Sequence, residues 1–159
     1  GETLHEGIEL GFGIDLSSRI SFDLAASKAR HTYETWVVSS GVGSGTDYSG
    51  NEMPSAPEQI ISARLGFKPI TGSNALVELE WEKLGTYWMD NDNTTQYEGH
   101  SLYNLRISYP VDKKLELYGR VMNMGDERYA TNASFSSGQE QYAPGMPRTL
   151  YLGLSYQLF

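Results

Sequence analysis

Glu78, Glu80 and Glu82 stand two residues apart, and on an extended chain side chains two apart share a face. Three carboxylates on one face suit a cation site or a general acid and base. They suit equally a wet lumen wall, neutralised by arginines on neighbouring strands such as Arg64, Arg106 and Arg120. The third reading is favoured, because nothing else completes a site. The histidines, His5, His31 and His100, have no paired metal-ligand spacing. "DNDNTT" from Asp90 resembles part of a calcium loop but lacks the rest of an EF-hand. "GSGTDYSGN" from Gly43 is glycine-rich, yet no strand–loop–helix pattern surrounds it, so it reads as a flexible loop and not a phosphate cradle. No catalytic constellation is present. An enzyme, a metal site and a cofactor are not expected.

The 159 residues are enough for one domain with a sizeable core. With 12 Lys+Arg against 20 Asp+Glu the net charge is -8, which argues against nucleic-acid binding. Cysteine is absent, which excludes disulfides and thiolate chemistry and fits an exported protein only weakly. The 11 Tyr and 17 Gly favour strands and turns over helix. No apolar run approaches the length of a membrane-spanning helix. The opening "GETLHEG" has neither the basic start nor the apolar centre of a signal peptide. It reads as a mature N-terminus or as the start of a piece of something longer.

Period-two alternation marks seven segments. Their apolar faces are Ile8–Ile14, Ile20–Ala26, Ile61–Phe67, Ala75–Trp81, Tyr103–Tyr109, Leu115–Val121 and Leu150–Leu158. The connections alternate between short (near Asp15–Ser18, Lys68–Ser73 and Pro110–Lys113) and long (Tyr33–Pro57, Asp90–Gly99 and Gly125–Pro147). The expectation is an all-β, antiparallel up-and-down meander of about seven strands. Tight turns at one end and long loops at the other suit part of a transmembrane β-barrel. A soluble or small membrane barrel that binds a ligand has the same periodicity, and periodicity alone leaves both open. Tyr109 and Tyr156 near the turn ends, and Trp81, Tyr87 and Trp88 near a loop end, suit interfacial girdles.

Three stretches carry a resemblance. Val121–Phe159 contains Asn123, Met124, Gly125, Asp126, Arg128 and Tyr129, then Gly145, Pro147, Arg148, Gly153, Leu154 and Tyr156. It resembles the C-terminal end of TonB-dependent outer-membrane receptors, with a strand ending "N-L-F-D-K-x-Y", a variable loop, and "G-x-P-R-x-x-x-x-G-L-x-Y". "GNEMPSAPEQ" (Gly50–Gln59) is similar to the family's "G-N-x-L-P-x-x-P", and "HSLYNLRISY" (His100–Tyr109) to its "Y-x-x-x-D-L-R-x-S-Y" strand. Order and spacing agree. Two departures stand out: Met124 and Gly125 replace the usual Leu-Phe, and Phe159 falls one residue late, leaving Leu158 on the apolar face.

The resemblance implies a bacterial outer-membrane transporter for a scarce nutrient such as an iron-siderophore complex, with no cofactor. Residues 1–159 would be the C-terminal portion of its barrel, without the plug domain and earlier strands. It further implies outer-membrane lipid, the missing plug and strands, the TonB-ExbB-ExbD energy-coupling complex and the barrel-assembly machinery as partners. Trp36, Tyr48, Tyr97, Tyr129 and Tyr142, with Phe135, would be substrate-binding candidates on external loops. Asn123, Asp126, Arg128, Tyr129, Gly145, Pro147 and Arg148 would form a structural motif. The Arg148 guanidinium is expected to reach headgroups or a loop carboxylate, Asp126 or Glu127.

Overall fold

A computed structural model describes residues 1–41 and 44–158. In chain order the strands are β1 (Glu2–Ser17), β2 (Ile20–Thr35), β3 (Val37–Gly41), β4 (Ser44–Asp47), β5 (Gln59–Phe67), β6 (Leu76–Leu84), β7 (Tyr87–Trp88), β8 (Gln96–Tyr97), β9 (His100–Pro110), β10 (Leu115–Met122), β11 (Ala130–Ser136), β12 (Gln139–Pro144) and β13 (Thr149–Tyr156). Seven of them make one antiparallel sheet in the order β1-β2-β5-β6-β9-β10-β13. Each strand pairs with its predecessor and successor in that order, as in a meander, and the sheet does not close on itself.

Directly opposed residues of antiparallel strands share a face, so register decides what the sheet presents. Ile14, Phe22, Leu65, Leu79, Leu105, Val121 and Leu150 stand in one row across all seven strands. One residue along, Asp15, Ser21, Gly66, Glu78, Arg106, Arg120 and Tyr151 form the corresponding row of the other face. Along these rows one face is apolar and the other mostly polar. The apolar face is open: Ile8 and Leu152 are each 78% exposed. The buried apolar cluster lies elsewhere. Tyr87, Met89, Ala130 and Ala133 form it at the long-loop end, with Leu84, Tyr97 and Phe135 packed against it.

The short turns are closed by side chains. Ser17 Oγ accepts the N–H groups of Arg19 (3.2 Å) and Ile20 (3.1 Å). Asp112 Oδ1 accepts those of Lys114 (2.7 Å) and Leu115 (2.9 Å). Such local caps fix a hairpin's register.

The long connections depart from the sequence reading. β2 runs on to Thr35, where the sequence suggests loop from Tyr33. Beyond Ala26 this strand reads Lys28, Arg30 and Thr32 on the apolar side, so alternation fades while the ladder to β1 continues. Within the glycine-rich stretch read as a flexible loop, Ser44–Asp47 is a strand paired with Val37–Gly41. β11 and β12 make a hairpin where a continuous loop is expected. Its turn, Ser137–Gly138, has φ of 54° and 75°, the left-handed pair of a type I′ turn. Tyr87 is no girdle residue: it is 4% exposed beneath that hairpin, and Ala133 N–H donates to its hydroxyl at 2.7 Å.

Candidate functional site

The polar face carries a lattice of charge. Glu78 lies 3.9 Å from Arg64 and 3.8 Å from Arg106. Glu80 lies 3.6 Å from Arg64 and 3.2 Å from Arg120. Both carboxylates are thus shared between cations of β5, β9 and β10. Glu82 faces Ser62 and Leu102 instead and is exposed. Asn104, 1% exposed, sits one rung from Glu78–Arg106. Its Nδ2 and the Nε of Arg120 are buried without a partner among the described residues. The sequence gives no sign of this buried amide.

At the end of β10 the chain turns through Asn123, whose φ is 51°. Asn123 Nδ2 donates to the carbonyls of Glu127 (2.9 Å) and Met146 (3.0 Å), and its Oδ1 accepts Glu127 N–H (2.9 Å). Its own N–H donates to Asn104 Oδ1 at 2.9 Å. Asp126, φ 53°, accepts the backbone N–H of Arg148 at 2.9 Å. Of the two contacts expected of the Arg148 guanidinium, headgroups or a loop carboxylate, the second is not made among the described residues: the side chain joins no ion pair, and the backbone N–H takes the Asp126 carboxylate. Gly145 N–H donates to the Tyr129 carbonyl at 2.8 Å. A Cβ on Gly145 would fall 2.2 Å from the Tyr129 ring. Pro147 precedes Arg148 at the entry to β13, and Arg128 is exposed. Phe159 lies outside the described residues; Leu158 is exposed.

The aromatic candidates fall into two groups. Trp36 stacks between Tyr33 (centroids 4.4 Å) and Tyr48 (5.0 Å) beside the β3–β4 hairpin. Tyr97 lies 5.2 Å from Tyr87, 6.1 Å from His100 and 6.5 Å from Tyr142, and His100 lies 4.5 Å from Tyr129. Tyr97 and Tyr129 therefore flank His100, and Tyr142 joins the group through Tyr97, while no ring contact links Trp36 and Tyr48 to them among the described residues. The Tyr97 hydroxyl meets His100 Nδ1 at 2.9 Å and accepts Ala130 N–H at 3.0 Å. Phe135 packs on the buried cluster. Neither spacing nor composition marks His100 or Tyr33 for these cross-loop contacts. Burial pushes the Tyr87 hydroxyl up, and the Glu140 carboxylate that accepts the Tyr142 hydroxyl pushes that one up.

The "DNDNTT" stretch is a closed turn. Asp90 accepts Thr94 N–H (2.8 Å), the Thr94 hydroxyl (2.6 Å) and Thr95 N–H (3.1 Å). Burial acts to raise the Asp90 carboxyl, but these hydrogen bonds outweigh it and hold the pKa below the usual range. Asn93 and Glu52 bond reciprocally, Glu52 N–H to Asn93 Oδ1 at 2.7 Å and Asn93 Nδ2 to the Glu52 carbonyl at 2.8 Å. Asn51 Nδ2 donates to the Asn91 carbonyl at 2.7 Å. The Gly50–Gln59 stretch thus docks on this turn.

Comparison with known proteins accounts for the two-faced sheet. The family model for the TonB dependent receptor-like β-barrel matches residues 1–124. The probable TonB-dependent siderophore receptor PiuA of Acinetobacter baumannii is 26% identical over 168 residues, covering 98% of this chain. The chain spans 21% of that relative's length. Two solved structures share the fold. The ferric yersiniabactin uptake receptor FyuA from Yersinia pestis superposes with a TM-score of 0.80 at 17% identity, over 99% of this chain and 24% of its own. The siderophore receptor PiuA from Acinetobacter baumannii gives 0.80 at 21%, over 97% and 22%. The family is one of receptors, not of enzymes. With the model matching most of its length, the chain belongs to the TonB-dependent receptor-like β-barrel family.

Proposed function

We propose that this chain is the C-terminal wall of the barrel of a TonB-dependent outer-membrane receptor, one that imports an iron-siderophore complex or a comparable scarce nutrient. The observation that carries the reading is the pair of contrasting faces on one sheet. An exposed apolar face seven strands wide suits lipid, and a face of paired Glu and Arg suits a wet lumen. A soluble ligand-binding barrel would have to bury the first of these.

On this reading the Leu150, Leu152, Leu154 and Tyr156 face meets outer-membrane lipid, and the polar face meets the plug contributed by the rest of the receptor. TonB-ExbB-ExbD would act through that plug, and the barrel-assembly machinery would insert the whole. The aromatic group around His100 and the group around Trp36 would meet the substrate from the loop side. A strain lacking the full-length gene tests this, by radio-iron uptake from defined ferric siderophores. Loss of uptake of one chelate, restored by the full gene, supports it. Unchanged uptake of every chelate, or recovery of the protein outside the outer membrane, overturns it.

A further inference from the structure

His5 and His31 are directly opposed in the β1–β2 ladder. Their Nδ1 atoms are 2.6 Å apart and their ring centroids 4.9 Å apart. Both stand on the polar face, between the Thr3–Tyr33 and Gly7–Ala29 pairs, with His5 exposed and His31 half-buried. Two imidazole nitrogens aimed at each other cannot both present lone pairs, which repel. A hydrogen bond from the Nδ1–H tautomer of one ring to the Nδ1 lone pair of the other relieves this, and so does a metal ion bound to both. The nearest cations of β2, Lys28 and Arg30, alternate onto the opposite face, and Arg30 is bound there by Glu52 at 2.9 Å. The backbone is fixed, since Met53 N–H donates to the His31 carbonyl at 2.8 Å.

We propose that His5 and His31 form a two-imidazole site for a divalent late first-row metal ion, Cu2+ ahead of Zn2+. Imidazole suits both ions, and Cu2+ binds such donors more strongly. Metal–nitrogen bonds of about 2.0–2.1 Å, at angles between square-planar and tetrahedral, set the two nitrogens about 3 Å apart. The rings therefore open by roughly half an ångström, which side-chain rotation at an exposed position allows. The ion takes the place of the Nδ1 proton, which passes by way of solvent to Nε2 of the same ring, so that two neutral imidazoles ligate through Nδ1. No group of three His, Asp or Glu side chains among the described residues completes a cage. Water or an exchangeable ligand fills the remaining positions, so the site captures and releases an ion and does not hold one structurally. It stands on the ladder geometry and does not depend on which nutrient is imported.

The test titrates the full-length receptor in detergent micelles with CuCl2 and ZnCl2. The Cu2+ electron paramagnetic resonance spectrum should show coupling to two nitrogens. His5→Ala and His31→Ala should each weaken binding by about tenfold or more, since each leaves a single imidazole. The nitrogen coupling should vanish in the double variant although His100 remains. Affinities unchanged in both single variants would overturn the proposal. So would a wild-type spectrum with fewer than two coupled nitrogens, a readout that needs no variant to fold.

Discussion

Asn123 and Glu127 hold each other by two hydrogen bonds, the Asn123 amide donating to the Glu127 carbonyl at 2.9 Å and the Glu127 N–H donating to Asn123 Oδ1 at 2.9 Å. The same amide reaches the Met146 carbonyl across the base of the β11–β12 hairpin. One buried side chain thus ties the exit of β10 to the entry of β13. Asn123→Ala removes these bonds and puts alanine at a left-handed φ. The cost should be roughly 4 kcal/mol, from about 1 kcal/mol for each of the three net hydrogen bonds and about 1 kcal/mol for the backbone. Urea unfolding of the receptor, with Asn123→Asp as a variant that keeps the acceptor, should rank wild type above Asp above Ala.

Asp126 and Arg148 separate side-chain from backbone effects. Arg148→Ala leaves the N–H that binds Asp126 in place and should change stability by no more than about 0.5 kcal/mol. Asp126→Ala strips the acceptor and should cost about 1 kcal/mol. Thermal melts of the two variants check the order. An Arg148→Ala variant that is the less stable of the two would show that its guanidinium matters.

Gly145 lies against the face of the Tyr129 ring, where a Cβ has no room. Gly145→Ala should therefore displace the ring from His100 and destabilise the loop. Combined with Tyr129→Ala, the same substitution should cost little, giving a coupling of about 1 kcal/mol or more in a double-mutant cycle.

Glu80 serves two arginines at once, Arg64 at 3.6 Å and Arg120 at 3.2 Å. Glu80→Ala takes the carboxylate from half-exposed Arg120 and leaves Arg64 with Glu78, and should cost about 1–2 kcal/mol. The loss should shrink in high salt, which screens these charges. Denaturation at two salt concentrations reads this directly.

The Asp90 turn has a pH signature. Its folded pKa lies below the unfolded value, so its contribution is fully present above the unfolded pKa and is lost as pH falls through the folded one. Amide hydrogen exchange at Thr94 and Thr95 should lose protection across that acid window. In Asp90→Asn the protection should be weaker and flat across the same window.

The seven sheet strands were legible because each carries at least three alternating apolar residues, and register then places Leu65 beside Leu79 and Leu105 beside Val121. The charge lattice was legible in outline for the same reason, since Glu78 and Glu80 fall opposite Gly66 and Arg64. The small hairpins were not. Their strands are short and carry no sustained alternation, and what orders them is contact from other loops, such as the Tyr87 hydroxyl beneath Ala133. The Asp126 bond to Arg148 was not legible because the charge of Arg148 points to its side chain, whereas its backbone N–H makes the bond.

The turn at Ser137–Gly138 offers a practical handle. Among the described residues nothing lies within 4 Å of where a Gly138 side chain would begin, while the hairpin is anchored from below through Ala133. A short epitope spliced between these two residues would project clear of the molecule and leave the anchor intact. Antibody labelling of whole cells would then report which side of the membrane this end of the sheet faces, without need of a substrate.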